Sequence, residues 1–99
     1  MATVYILYST SIDRFYIGSC LQLNQRLAEH NSNNSKHAFT NRASDWEIYW
    51  QVDDLDYQQA RNIEAHIKRM KSRQYLKNLS IYPAIIQKLL LKYPAGSSR

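Results

Sequence analysis

Two short runs near the N-terminus constrain the fold of this chain most. Thr3-Val4-Tyr5-Ile6-Leu7-Tyr8 and Phe15-Tyr16-Ile17-Gly18 are rich in β-branched and aromatic residues, and polar Ser9 to Arg14 separates them. Side chains of this kind fit a pleated, half-buried surface, and a short polar link between two such runs predicts a β-hairpin. With 99 residues, the chain fits one domain, and its 44% hydrophobic content fills one modest core.

The hairpin is followed by helical periodicity. Leu23 and Leu27 stand at i,i+4 and predict a helix over about 23–31, which places Arg26 and His30 one turn apart on a shared face. Asn31 to Ser44 has no periodicity and reads as a long loop carrying Lys36, His37 and Arg42. From Trp46, Ile48, Trp50 and Val52 a third strand with one buried face is expected, joining the hairpin. Asp53 to Asp56 supplies caps rather than catalysts before a helix of about 55–72, whose stripe of Ala60, Ile63, Ile67 and Met70 faces a core. At ~100° per residue Glu64 lies about 80° from the centre of that stripe, a border position from which a carboxylate can look into a cleft.

A last helix is expected from about Pro83, with Ile85, Ile86, Leu89, Leu90 and Tyr93 in its stripe and Pro94 as its stop. The stripe either closes the core or forms a weak homodimer. These runs add up to one small α/β unit over 1–93, with 94–99 as a flexible tail.

Charge and cysteine use narrow the function classes. A formal net charge of +5 favours a polyanionic partner over an acidic substrate pocket. Five of the eight acids lie between 45 and 56, whereas 61–77 holds six basic residues and only Glu64. That stretch is either an electrostatic footprint for nucleic acid or a solvated helix face. The single Cys20 excludes an intramolecular disulfide and a multi-thiolate zinc site, and the spacing of His30, His37 and His66 matches no familiar zinc pattern. Any metal should therefore be a hard cation held by oxygen. Met1 to Tyr8 lacks the basic start and long apolar stretch of a signal, and no segment approaches the ~20 apolar residues that cross a bilayer. The expectation is a cytoplasmic protein without a membrane partner.

Five residues carry chemistry if they converge. A tyrosine hydroxyl can orient or deprotonate water, an arginine offers a planar fork of donors to phosphate, and a carboxylate can hold a divalent cation. Each also has an ordinary reading. Tyr5 and Tyr16 can be strand residues packing their rings, Arg26 can lay its stem over the core, and His30 can complement a helix C-terminus. Glu64 can pair with Lys68 at i,i+4. Gly18 is one of only two glycines; inside a strand it signals a bulge, close backbone approach or room for a ligand.

The joint pattern resembles the GIY-YIG nuclease superfamily, particularly its small single-domain bacterial members. Val4-Tyr5 sits in the first motif, Tyr16-Ile17-Gly18 is the second intact, and Arg26, Leu27 and His30 are similar to the family's Arg-Leu-x-x-His helix. Glu64 follows in the expected second helix, Lys68-Arg69-Met70-Lys71-Ser72-Arg73 resembles the basic continuation, and Phe39-Thr40 with Asp45-Trp46-Glu47 resembles the loop-to-strand segment. Thr3 stands where the family name has glycine.

The resemblance implies an α+β fold with a three-stranded antiparallel sheet flanked by helices, and metal-dependent hydrolysis of DNA phosphodiesters in repair, recombination or processing. It implies catalytic roles for Tyr5, Tyr16, Arg26, His30 and Glu64, with Glu64 binding Mg²⁺ or Mn²⁺. A free tyrosine has a pKa of about 10, so Tyr5 as general base needs the cation, Arg26 or proton relay through His30, while Tyr16 orients water or phosphate. Gly18, Lys36, Arg42, Lys68, Lys71 and Arg73 are expected at the DNA, and Asn78 is the candidate for the polar residue that many members carry after the glutamate. The alternative is a noncatalytic nucleic-acid-binding module that keeps the fold, with the tyrosines packing or stacking on bases.

Overall fold

The structure is a computed structural model that describes residues 1–32 and 42–96. The N-terminal hairpin forms as expected, with β1 at Ala2–Ser9 and β2 at Arg14–Cys20. Helix α1 spans Leu23–Asn31, β3 spans Glu47–Leu55, and three helices follow: α2 at Tyr57–Met70, α3 at Arg73–Ile81 and α4 at Pro83–Lys92. The sheet is antiparallel in the order β2-β1-β3, so the apolar first run becomes the central strand and β2 an edge.

Strand alternation then sorts the interior into two layers. Ala2, Val4 and Ile6 of β1 face one side, where they pack with Leu55, Ala60, Ile63, Ile67, Leu76, Leu79 and Leu89 from β3 and α2 to α4. Tyr5 and Leu7 face the other side, where they meet Cys20, Ala43 and Trp46 beneath Leu23 and Leu27 of α1. Two helical layers thus cover the two faces of one sheet.

The β3 reading needs correction. Ile6 lies opposite Trp50 and Leu7 opposite Ile48, leaving Tyr49 as an extra residue in a bulge. The bulge breaks the alternation. Trp46 precedes the strand and packs on the α1 side, whereas Tyr49, Trp50 and Val52 pack on the opposite layer and Ile48 is exposed.

The expected helix over about 55–72 forms as the single helix α2, two residues shorter at each end. Leu55 ends β3, and Asp56 opens α2 with a capping box: its carboxylate accepts from Gln59 N at 3.3 Å while Gln59 Oε1 accepts from Asp56 N at 3.1 Å. Ala60, Ile63 and Ile67 are buried as the stripe predicts, but Met70 at the helix end is 44% exposed. Lys71 then adopts the left-handed conformation, φ 48°, and Ser72 caps a new helix by accepting from Tyr75 N at 3.2 Å. That helix, α3, lies in a stretch to which periodicity assigned nothing; Leu76 and Leu79 form its buried stripe.

Pro83 occupies the first turn of α4 as expected, and Leu89 enters the core with Ile85, Ile86, Leu90 and Tyr93 packed against it. The last apolar stripe therefore closes the core. Among the described residues, no helix is long and apolar enough to cross a membrane.

Replacing Asp56 by Ala removes half of the capping box while leaving the β3 to α2 packing intact. It should lower unfolding free energy by ~1 kcal/mol. Urea denaturation should show a lower midpoint with an unchanged slope.

Candidate active site

The register of the hairpin places the two motif tyrosines side by side. Tyr5 lies opposite Gly18 and Leu7 opposite Tyr16, so Tyr5 and Tyr16 are diagonal neighbours on the α1 face, with ring centroids 6.4 Å apart. Pairing continues without a shift from Thr3 opposite Cys20 to Ser9 opposite Arg14, so Gly18 marks no bulge in this ladder. Its role is close approach. A Cβ at Gly18 would lie 2.5 Å from Tyr5 Oη and 2.7 Å from Tyr5 Cζ. The tyrosine ring lies across the space that any other side chain would occupy.

Helix α1 supplies the next two groups. Leu23 and Leu27 dock it on the sheet, and the shared face carries Arg26 and His30 toward the tyrosines. His30 is fully buried, with Nε2 3.2 Å from Tyr5 Oη and its ring centroid 5.1 Å from that of Tyr16. Arg26 is about one-third exposed, with Nε 3.7 Å from Glu29 Oε2.

Burial governs the chemistry of the phenols. Tyr5 is 1% exposed, and loss of hydration raises its pKa well above the ordinary tyrosine value; the neighbouring Tyr16 and Cys20 add to the rise and Arg26 opposes it. Tyr16 is half-buried and is also raised, first by burial, with Lys68 and Arg26 lowering it and Glu64 raising it. Both hydroxyls thus keep their protons at neutral pH. Each can donate one hydrogen bond and accept others.

Glu64 arrives from the other layer. The sequence alternates Gly18 to the α1 face and Ser19 to the α2 face, where Ser19 Oγ donates a short hydrogen bond to Glu64 Oε1. Lys68, one turn along α2, places Nζ 2.7 Å from Glu64 Oε2. The charge of Glu64 acts on both tyrosines. This meeting of two layers depends on β2 being an edge strand, around which groups above and below the sheet can share one solvent-facing border.

The i,i+4 pairing of Glu64 with Lys68 foreseen as the ordinary reading is therefore present. No cluster of three or more His, Cys, Asp or Glu capable of holding a metal occurs among the described residues. That does not disqualify Glu64, since Mg²⁺ commonly uses one or two protein carboxylates and completes its shell with water and phosphate oxygens.

Of the expected nucleic-acid contacts, Lys68, Lys71 and Arg73 come together with Arg14 around a hollow of about 240 Å³ floored by Phe15 and Ile17. Arg73 has structural partners there: it pairs with Asp13 Oδ1 at 3.2 Å, donates to the Asp13 carbonyl and lies over the Phe15 ring. Arg42 is exposed beside buried Ala43. Asn78 accepts from Gln74 Nε2 at 3.0 Å on α3, and among the described residues its side chain has no hydrogen bond to Glu64, Tyr5 or Tyr16. Lys36, with Phe39 and Thr40, lies outside the described residues. Ser19 and Arg14 escaped the sequence reading; strand alternation from Gly18 is the signal that could have pointed Ser19 at α2.

The family model described as the GIY-YIG catalytic domain matches residues 1–78, from β1 into α3. No curated protein and no solved structure matches the chain.

Gly18→Ala should push the Tyr5 ring from its place, weaken the bond to His30 and destabilise the fold by ~1–3 kcal/mol. Tyr5→Phe should then cost less stability in the Gly18→Ala background than in the wild-type protein. A double-mutant cycle by chemical denaturation checks that non-additivity.

Proposed function

The chain belongs to the GIY-YIG catalytic domain family, and from that premise we propose that it is a divalent-cation-dependent DNA endonuclease acting in repair, recombination or processing. One observation carries the reading: Tyr16, Arg26 and Glu64 stand at the border of the edge strand β2, with the buried Tyr5 to His30 hydrogen bond directly beside the Tyr16 ring.

The proposed roles follow from exposure and proton affinity. Buried Tyr5 cannot act as a preformed phenolate, because desolvation holds its proton. It can act as a relay instead. As water attacks phosphorus, its proton passes to Tyr5 oxygen while the phenol proton passes to unprotonated His30 Nε2, so Tyr5 never carries a phenolate charge and His30 holds the proton as an imidazolium until it returns through Tyr5 to solvent. The new P–O bond forms as the bond to the leaving oxygen breaks, and that oxygen takes a proton from solvent. Half-buried Tyr16 orients the water or phosphate, and the Arg26 guanidinium offsets charge growing on the phosphate oxygens.

Glu64 is the residue that would hold Mg²⁺ or Mn²⁺. Its carboxylate is 20% exposed and already has a cationic ammonium against Oε2, so charge and access both suit a hard cation. When bound, such a cation supplies positive charge to the leaving oxygen and to the scissile phosphate. The same Lys68 pairing favours the second reading, a nucleic-acid-binding module whose Glu64 serves only structure.

Plasmid nicking separates the two. Cutting should require Mg²⁺ or Mn²⁺ and stop in EDTA. Glu64→Gln should abolish it while DNA binding persists, and Arg26→Ala should slow it by about 10²–10³. Tyr5→Phe and Tyr16→Phe should impair cutting more than binding, with Tyr5→Phe losing about 10²–10⁴. Failure to cut plasmid, branched or single-stranded DNA, with binding retained in Glu64→Ala, favours the binding module.

A further inference from the structure

The two oxygens of Glu64 have different kinds of partner. Oε1 accepts from the neutral hydroxyl of Ser19, which hydrogen-bonds equally well to a carboxylate that also holds a metal. Oε2 is taken by the Lys68 ammonium at 2.7 Å, and an ammonium and a divalent cation cannot share that oxygen without strong repulsion. One of them must leave.

Three observations make Lys68 the group that leaves. Its side chain is half exposed at 50%, against 20% for Glu64, so it can swing into water while the carboxylate stays. An i,i+4 pair with such exposure is weak, so its release costs little. Finally, Lys68 also lines the hollow formed with Arg14, Lys71 and Arg73 over Phe15 and Ile17. A basic rim on that scale suits the phosphodiester backbone of a nucleic-acid strand.

We propose that Lys68 is an exchangeable counter-cation: it neutralises Glu64 in the free protein, yields Oε2 to a divalent cation, and moves to a phosphate of a strand lying in the adjoining hollow. This rests on the reading of Glu64 as the metal-holding residue. Metal and strand then strengthen each other's binding, because the same lysine must leave for one and is needed by the other. Ser19 acts as a positioning residue that keeps the carboxylate aimed throughout the exchange.

The test measures binding rather than cutting. Free Mn²⁺ followed by electron paramagnetic resonance should show Lys68→Gln binding the ion at least about twofold tighter than wild type, the size set by a weak exposed pair. Lys68→Arg should resemble wild type, and Glu64→Gln should lose the site. For a short DNA duplex followed by fluorescence anisotropy, the tightening in Ca²⁺ relative to EDTA should be larger for wild type than for Lys68→Gln, as linkage requires. Unchanged Mn²⁺ affinity in Lys68→Gln, or equal tightening in both proteins, overturns the exchange and leaves the nuclease reading standing if Glu64→Gln still loses Mn²⁺. Mn²⁺ binding that survives Glu64→Gln overturns the metal role itself, and the exchange with it.

Discussion

The contact between the Tyr5 ring and the bare backbone of Gly18 is the constraint on which the rest of the site depends. It requires the hairpin register, because only direct opposition on β1 and β2 puts the ring over the glycine. It also requires β1 to be central, since a ring left 1% exposed needs neighbours on both sides. With Tyr5 lying flat against β2, its hydroxyl is delivered to the buried His30 at 3.2 Å. A side chain at position 18 would separate hydroxyl from imidazole before any substrate arrived.

Burial and the edge position of β2 pull the site in opposite directions. The α1 face is closed by Leu23, Leu27 and Trp46, which makes Tyr5 a phenol that keeps its proton. The outer border stays open, so Arg26, Tyr16 and Glu64 retain access to solvent. In the proposed mechanism the proton relay through Tyr5 uses the first environment, and the contact of Arg26, Tyr16 and Glu64 with a phosphate and its cation uses the second. A central position for β2 would have denied Glu64 of α2 any shared border with Tyr16 of the opposite face.

Much of this was legible in the sequence, for local reasons. The hairpin, α1 and α4 follow from short-range patterning, and Asp56 announces itself as a cap by its place before an apolar period. The border angle of Glu64 likewise comes from helix geometry alone. Other features depend on tertiary structure. The Tyr49 bulge exists because β3 must pair with β1 at both ends while sending Trp46 and Trp50 to opposite layers. The α2 to α3 break rests on a left-handed lysine at 71, which no residue preference announces, and α3 hid because its buried face is little more than Leu76 and Leu79. Strand alternation turns Ser19 away from the face of Gly18, but its meeting with Glu64 follows only from α2 lying over that face of β2.

The basic surface asks for a finer reading than its net charge. Arg73 is held by the Asp13 carboxylate, by the Asp13 carbonyl and by the face of Phe15, three contacts that tie the hairpin turn to α3. Among the described residues Lys68 pairs with one carboxylate, that of Glu64, and has half its side chain in water. A phosphate competes poorly with the first arrangement and well with the second, since an exposed lysine pair is worth ~0–1 kcal/mol. Two cations lining the same hollow are therefore held differently, Arg73 as a brace for the hairpin and Lys68 as the charge that the proposed exchange moves. The affinity of this face for a polyanion depends on how many of its cations are of the second kind, which the count of lysines and arginines does not reveal.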